Sequence, residues 1–155
     1  MYLPKRYFTG LSKTKRALRK RELTKRSKLS WKSEKAYRPF KTDTGVKTRK
    51  SNYTLEWKKK FPTATSISDA SKVTGVPLSA IKGSYNRGIA AWRTGHRPGA
   101  SKEQWGIARY RSMLLCGKTH YTTDSDLVSK AKKKSAKARR WFNKTCKTSA
   151  VKYKK

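Results

Sequence analysis

The composition of this chain is dominated by positive charge. Its 155 residues include 42 Lys or Arg and only 8 Asp or Glu, which gives a formal net charge of +34. A compact enzyme with so many uncompensated charges would repel itself, so we expect neither enzymatic activity nor a cofactor. The partner is expected to be a polyanion or an acidic protein surface. Hydrophobic residues make up 34% of the chain, enough for one modest domain, and the 11% of aromatic residues exceeds what a charged tail requires.

The sequence carries no signal for membrane insertion or export. No apolar run approaches the roughly 20 residues that a membrane-spanning helix needs, and no apolar segment follows the charges at the N-terminus as in a secretory signal. An acidic membrane surface stays open as a partner. Cys116 and Cys146 are too few to indicate a disulfide framework, so we expect two reduced thiols and a reducing compartment.

The charge divides the sequence into three parts. Residues 1–61 and 130–155 carry +17 and +12, whereas residues 62–129 carry only +5. Apolar residues with helical spacing are concentrated in the middle part. We therefore predict a mainly α fold: a central helical domain of three to four helices at 62–129, a long, basic, largely extended N-terminal arm at 1–61, and a Lys-rich helix or tail at 130–155.

One helix is predicted inside the N-terminal arm, over residues 12–28. The segment has no Gly or Pro and begins at Ser12, a favourable N-cap residue. Its apolar stripe is thin, so its cations suit a phosphate backbone, an acidic groove or simply solvent. The polyanion-binding residues predicted here and in the C-terminal part are Lys13, Lys15, Arg16, Arg19, Lys20, Arg21, Lys132, Lys133, Lys134, Arg139 and Arg140.

Aromatic residues alternate with Lys and Arg between residues 30 and 61. Pro39, Gly45 and many Thr and Ser residues argue against regular structure for most of this segment. Such a pattern suits an extended arm that inserts aromatic anchors into pockets of neighbouring proteins. It equally suits stacking on single-stranded bases. The predicted anchors are Trp31, Tyr37, Tyr53 and Trp57.

The middle part begins with two predicted helices. Ser66 and Asp69 form a capping-box-like start for the first, and Gly75 is its expected stop. Pro77 stands at the favoured first position of the second, which is predicted to end at Gly95.

This pair of helices also resembles a helix-turn-helix, with Leu78, Ser79 and Lys82 on the side that would enter the major groove. That side has no Asn or Gln and one Lys, which makes it a poor reader of bases. A packed αα-hairpin is the favoured interpretation, and sequence-specific regulation is not expected.

Two further helices are predicted after a loop. Residues 101–104 read Ser-Lys-Glu-Gln, a capping box for the third helix. A last helix is predicted to start near Asp124 and Asp126, whose charges favour a helix N-terminus, and to run through to Phe142.

Two groups of residues partly resemble known binding sites, one for phosphate and one for zinc. Residues 117–119 resemble the end of a phosphate-binding loop, but Ser112 stands where that motif needs Gly, so a helix-ending turn is predicted. Zinc ligation is conceivable from four residues, yet no pair among them has the usual close Cys or His spacing of zinc sites, and no metal is predicted. The four residues are His96, Cys116, His120 and Cys146.

A cluster of Arg and His is predicted at the corner between the second and third helices. Its members are Arg93, His96, Arg97 and Arg109. They could hold phosphate or an acidic partner, or they could only satisfy carbonyl groups at a helix C-terminus. Both interpretations stay open from the sequence.

The longest distinctive run includes this corner. It reads YNRGIAAWRTGHRPGASKEQWGIARYRSMLLCGKTHYTTDSDL, and residues 4–27 read PKRYFTGLSKTKRALRKRELTKRS. Together these segments, over roughly residues 4–127, resemble a family of small basic proteins of unassigned function encoded by large DNA viruses of algae and protists, with relatives in marine phages. The resemblance implies a viral protein and a virion component, and it supplies no catalytic or binding residues.

These observations lead to two functional expectations. The first is a minor capsid or cement protein on the inner side of a viral shell, part of a large assembly, which contacts the major capsid protein, other minor capsid proteins and packaged DNA. It would pass through the host cytoplasm or nucleus during assembly. The alternative is a nucleic-acid-binding protein without sequence preference, for genome condensation or in the manner of a ribosomal protein.

Overall fold

The computed structural model describes residues 1–154, and all regular structure in that range is helical. The α-helices are α1 (Lys13–Ser27), α2 (Asn52–Lys60), α3 (Ile67–Thr74), α4 (Leu78–Trp92), α5 (Lys102–Leu114), α6 (Lys118–Tyr121), α7 (Ser125–Lys134) and α8 (Ala136–Thr148). Short 3₁₀ turns occur at Lys5–Phe8, Glu34–Tyr37 and Lys41–Asp43. No strand occurs in residues 1–154, so the predicted mainly α class is confirmed.

Most predicted helix starts and stops are confirmed, but α4 ends at Trp92 and not at Gly95 as predicted. Ser12 accepts a hydrogen bond from the Lys15 amide at 3.4 Å and caps α1. A reciprocal capping box links Ser66 and Asp69 at the start of α3, whose end at Gly75 has the left-handed φ of 72° that favours glycine. The residues 101–104 form a second capping box, with bonds of 3.0 and 3.1 Å, at the start of α5.

The chain folds into two compact units, and each is built from two separate segments. Unit 1 consists of Met1–Arg49 and Gly88–Trp105, and unit 2 consists of Lys50–Arg87 and Gly106–Lys155. The chain therefore changes unit inside α4 and again inside α5. This division differs from the three consecutive parts expected from charge, because charge varies along the sequence whereas packing joins distant segments.

Most of the N-terminal segment that was expected to be an extended arm is folded into unit 1. Leu23, Phe40 and Trp92 are buried together, and α1 packs against the turn at Lys41–Asp43. The Trp92 indole donates to the Ala100 carbonyl at 2.8 Å. The N-terminal segment is therefore not a largely extended arm. The apolar stripe of α1 is thin, but Phe40 from the same segment and Trp92 from far along the sequence complete the core around Leu23.

Unit 2 has the larger core. Trp57, Ile81, Met113, Leu114 and Phe142 are among its fully buried residues, so α2, α4, α5 and α8 all contribute to it. Part of the expected arm, α2, thus belongs to this core, and so does the C-terminal α8. Helix α7 packs against α6 and α8, and α8 packs against α3.

The predicted last helix is two helices. The chain leaves the helical conformation at Ser135, which has extended dihedral angles and separates α7 from α8. The Ser135 hydroxyl caps α8 by accepting from the Ala138 amide at 3.1 Å and donates to the Gly75 carbonyl at 2.9 Å. After the break, Ala138 and Phe142 of α8 are buried in the core of unit 2. The sequence pattern did not predict the break.

None of the helices in residues 1–154 combines the length and the apolar character needed to cross a membrane.

Candidate polyanion-binding surface

One face of α1 in unit 1 is covered by cations. An α-helix repeats every 3.6 residues, which aligns five exposed residues on the side opposite the buried Arg19 and Leu23. We call Lys13, Lys20, Arg21, Lys25 and Lys28 the basic face of α1. Ala17 and Thr24 lie between them, and their small side chains leave a shallow, open groove.

No carboxylate shares this face. Glu22 is the one acidic residue of α1, and it points to the chain at residues 41–42. There its Oε1 accepts a hydrogen bond from the Lys41 amide at 2.7 Å, and its Oε2 accepts from the Thr42 hydroxyl. The positive potential of the basic face is therefore not offset by its own helix.

Arg19 was predicted to bind a polyanion, and the structure contradicts this. Its side chain is completely buried: Nη1 donates to Asp43 at 2.9 Å, and Nη2 donates to the His96 carbonyl at 2.7 Å. The guanidinium also lies 4.5 Å from the centre of the Phe40 ring. Burial lowers the pKa of Arg19, although Asp43 opposes that shift. Arg19 therefore anchors α1 and is inaccessible to a ligand.

Most acidic residues of the protein are engaged by neighbouring groups. In unit 2, buried Asp124 accepts from Arg109 Nη2 at 2.8 Å and from the Ser84 hydroxyl at 2.7 Å. Asp126 pairs with Arg87 at 2.8 Å, and this hydrogen bond holds the pKa of Asp126 well below its usual value. Within residues 1–154, Glu34 alone makes no hydrogen bond or ion pair through its carboxylate. The exposed surface consequently presents mainly positive charge.

Unit 1 contains a second group of cations, formed by Arg6, Arg49 and Arg97, that the sequence did not predict. Burial lowers the pKa of Arg97, and the positive charges of Arg49 and Arg6 lower it further. Across the described chain, none of these three guanidinium groups pairs with a carboxylate. Arg6 and Arg49 are exposed and Arg97 is partly buried. The three arginines come from separate segments, their charges influence one another, and guanidinium groups without carboxylate partners are suited to phosphate oxygens.

The predicted corner of Arg93, His96, Arg97 and Arg109 does not form one cluster. Arg109 belongs to unit 2, where it pairs with Asp124. Arg93 donates to the Leu29 carbonyl at 3.3 Å, which matches the carbonyl-satisfying interpretation. Arg97 is the one member of the four whose side chain pairs with no carbonyl or carboxylate in residues 1–154.

His96 is buried in a polar network of unit 1. Its Nδ1 lies 2.8 Å from the Trp92 carbonyl and its Nε2 lies 2.7 Å from Asp43. Burial lowers the pKa of His96, although Asp43 opposes the shift. Burial acts to raise the pKa of Asp43, but the hydrogen bond and charge of His96 and the charge of Arg19 outweigh it, so that pKa lies below its usual value. His96 is thus part of the scaffold.

The four predicted aromatic anchors have different surroundings. Trp57 is fully buried and donates to the Ala64 carbonyl at 2.8 Å, and Tyr53 packs against the same core. Tyr37 is partly buried. Trp31 is 63% exposed, with the Lys32 ammonium 5.4 Å from its ring centre. Trp31 is therefore the anchor that remains available to a partner, and it follows the C-terminal end of the basic face of α1 by three residues.

The other predicted cations divide into exposed and covered groups. The exposed ones are Lys13, Lys15, Arg16, Lys20, Arg21, Lys133, Lys134, Arg139 and Arg140. Lys132 is partly buried, with its ammonium 5.9 Å from the Phe142 ring centre. The C-terminal set lies on α7 and α8 of unit 2, whereas the basic face of α1 belongs to unit 1.

The two cysteines contradict the expectation of free thiols. Cys116 and Cys146 are joined by a disulfide that closes a loop with a sequence separation of 30. His120 lies beside the bond, and its Nε2 is 3.6 Å from the Cys146 sulfur. Three of the four residues weighed for zinc are thus brought together, whereas His96 lies in unit 1. Cys116 and His120 are close in sequence, whereas Cys146 comes from α8.

Comparison with known proteins places the chain in a family without giving it a function. No curated protein and no solved structure matches it. A family model matches residues 4–134, which include all but the first three residues of unit 1 and most of unit 2 but not α8. The chain belongs to DUF5824, a family of unknown function.

Proposed function

We propose that this protein binds nucleic acid through its phosphates, without reading base sequence, and that the basic face of α1 is its main contact. The observation that carries the proposal is the composition of that face: four exposed cations on one side of α1 and a fifth, Lys28, at its C-terminal cap, with no carboxylate among them. Cations in such a row neutralise successive phosphates and release the counterions condensed on the nucleic acid.

The shape of the face supports a phosphate backbone as the ligand. Ala17 and Thr24 keep the centre of the face low, while longer cationic side chains stand on either side. The helix extends about 22 Å, which spans several consecutive phosphates. Four of the five cations are Lys, which binds phosphate as a point charge and does not make the bidentate base contacts typical of Arg. The expected binding is therefore independent of sequence.

The exposed Trp31 favours a single-stranded over a double-stranded nucleic acid as the ligand. An exposed indole three residues after a row of cations in the sequence offers a stacking platform for an unpaired base, which contributes about 1–3 kcal/mol per base. A base inside a duplex is already stacked and gains nothing from it. The group of Arg6, Arg49 and Arg97 supplies further phosphate contacts in the same unit.

The test is the salt dependence of binding to a single-stranded oligonucleotide, followed by fluorescence anisotropy. We expect the triple variant Lys20→Gln, Arg21→Gln, Lys28→Gln to bind more weakly and to lower the slope of log K against log salt by about 2, at about 0.7 per phosphate. The control variant Lys47→Gln, Lys58→Gln, Lys59→Gln removes the same charge from exposed sites elsewhere. An equal loss of slope in the control would contradict a localised site.

A second binding measurement tests the role of Trp31. Trp31→Ala should weaken single-strand binding by about 5-fold to 150-fold, the equivalent of 1–3 kcal/mol, and leave duplex binding nearly unchanged. Equal affinity of the variant and the wild type for single strands would remove Trp31 from the interface.

A structural role in a virion is the second candidate, and the resemblance to proteins of large DNA viruses together with the exposed Trp31 favours it. An exposed large aromatic beside cations is also a suitable anchor for an acidic protein pocket. In this candidate the basic surfaces contact capsid proteins or packaged DNA from the inner side of the shell. Nuclease-treated virions separated into shell and core fractions would test it, since recovery of the protein only with the core, or its absence from virions, would exclude a shell component.

A further inference from the structure

The disulfide of unit 2 lies against a histidine in an arrangement that also suits a metal ion. The Cys116 and Cys146 sulfurs and a ring nitrogen of His120 all lie within 4.8 Å of one another. We propose that in the reduced chain Cys116, His120 and Cys146 bind one zinc-class divalent cation, with water as the fourth ligand, and that the disulfide is the oxidised, metal-free form of the same site.

The distances fit tetrahedral coordination. With metal–sulfur bonds of about 2.3 Å and metal–nitrogen bonds of about 2.0–2.1 Å, neighbouring ligand atoms stand roughly 3.5–3.8 Å apart. The His120 Nε2 is already 3.6 Å from the Cys146 sulfur. The Cα atoms of Cys116 and Cys146 are 5.1 Å apart, so separate thiolates can reach one ion by side-chain rotation.

The histidine is oriented as a metal ligand would be. Its Nδ1 lies 3.1 Å from the Met113 carbonyl, which accepts the Nδ1 proton and leaves the Nε2 lone pair directed towards the cysteines. A backbone carbonyl in this position is a common orienting partner of ligating histidines.

The charges are compatible with a buried ion. Cys116 and His120 are buried, and Cys146 is partly buried. A divalent cation held by two thiolates and a neutral imidazole has no net charge, so burying it carries a small desolvation cost. Thiolate and imidazole ligands select zinc-like ions over magnesium or calcium, which prefer oxygen. The partly exposed Cys146 gives solvent and ion a route to the fourth position.

The exchange between the two forms is a balanced two-electron step. A dithiol reductant transfers two electrons and two protons to the Cys116–Cys146 bond, which becomes two thiols, while the dithiol closes to its own disulfide. The two thiols then release two protons as the cation binds. In the reverse direction, a peroxide takes two electrons from the two thiolates, the disulfide forms again, two protons are taken up from water as the peroxide becomes two waters, and the cation leaves.

The test uses the full-length protein, reduced with a phosphine, freed of reductant without air and titrated with Zn²⁺ or Co²⁺. We expect one ion per chain in the reduced protein and none in the disulfide form, with the intense visible bands of a tetrahedral thiolate site for Co²⁺. His120→Gln and Cys146→Ser should each lower the affinity at least tenfold. His96→Gln, which changes the other histidine of the chain, is the matched control and should bind as the wild type does.

A second measurement separates loss of the site from loss of the fold. Zn²⁺ should raise the unfolding temperature of the reduced wild type and of His96→Gln, but not that of His120→Gln or Cys146→Ser. Peroxide should release one zinc per chain. The proposal is overturned if the reduced wild type binds no ion, if His120→Gln binds as tightly as the wild type, or if peroxide leaves the zinc bound.

Discussion

Arg19 donates a 2.9 Å hydrogen bond to Asp43 while its guanidinium is completely buried. The pair joins α1 to the turn at Lys41–Asp43, and Asp43 in turn contacts His96 and accepts from the Gly99 amide at 3.1 Å. Three segments of unit 1 that are distant in sequence are thus held by one carboxylate. The fold of this unit depends on a charge that the sequence alone assigned to ligand binding.

Replacing Arg19 by Met should therefore destabilise the protein strongly. The change leaves Asp43 without its charged partner, and breaking a buried pair in this way costs about 3–5 kcal/mol. Urea unfolding followed by circular dichroism measures the effect. Arg21→Met removes the same charge from an exposed site of the same helix and should change the free energy of unfolding by less than about 0.5 kcal/mol. Equal effects of the two variants would contradict the anchoring role of Arg19.

Stability should fall as the pH falls from 7.5 to 5.5. Burial lowers the pKa of both histidines of the chain, so below the unfolded value of about 6.5 the unfolded state binds more protons than the folded state. Asp43, whose pKa is also lowered, adds a further loss below about pH 4. Urea midpoints at constant ionic strength provide the measurement. His96→Gln and His120→Gln should each flatten the profile between pH 7.5 and 5.5, and a midpoint that rises on acidification would refute the assignment.

Asp124 should matter far more to unit 2 than Asp126, although the two lie two residues apart. Buried Asp124 accepts from Ser84, Arg87 and Arg109, so Asp124→Asn leaves these donors poorly paired and should cost about 3 kcal/mol or more. Asp126 is exposed and bonds to Arg87 alone among side chains, so Asp126→Asn should cost about 1 kcal/mol or less. Thermal and urea unfolding of the two variants, measured side by side, would reveal the ranking, and the reverse order would be incompatible with the structure.

Ser135→Ala should lower the stability of unit 2 by about 1–2 kcal/mol. The change removes the N-cap of α8 and the hydrogen bond to the Gly75 carbonyl. Ser129→Ala, at an exposed position inside α7, is the control and should have little effect. If Ser135→Ala were as stable as the wild type, α7 and α8 would be separated by something other than this cap.

Helix boundaries were the part of the fold that the sequence predicted best. Ser12, the Ser66–Asp69 capping box, Gly75 and the Ser101–Gln104 capping box all lie at helix ends as expected. Each depends on residues within four positions of one another, so the interaction is decided locally. The break at Ser135 was missed because a Ser among Lys and Ala residues is compatible with a continuing helix, and the hydrogen bond to Gly75 that favours the break comes from 60 residues away.

The candidate surface was predicted in part. The basic face of α1 follows from helical periodicity, and three of its five members, Lys13, Lys20 and Arg21, were predicted. The prediction that Arg19 binds a polyanion was wrong because net charge does not distinguish a cation that pairs with Asp43 from one that is exposed to solvent. The group of Arg6, Arg49 and Arg97 was missed because its members come from three segments.

The sequence by itself determined the helical class, the helix ends and the excess of positive charge, because these depend on composition and on residues close along the chain. Only the tertiary structure decided that most of the expected arm is folded, that Cys116 and Cys146 meet beside His120, and that Arg19 is buried while the basic face of α1 is exposed. Such contacts join residues tens of positions apart. Which segments meet is decided by the packing of large side chains such as Trp57, Trp92 and Phe142 in the two cores. Packing between distant segments leaves no periodic pattern in the sequence.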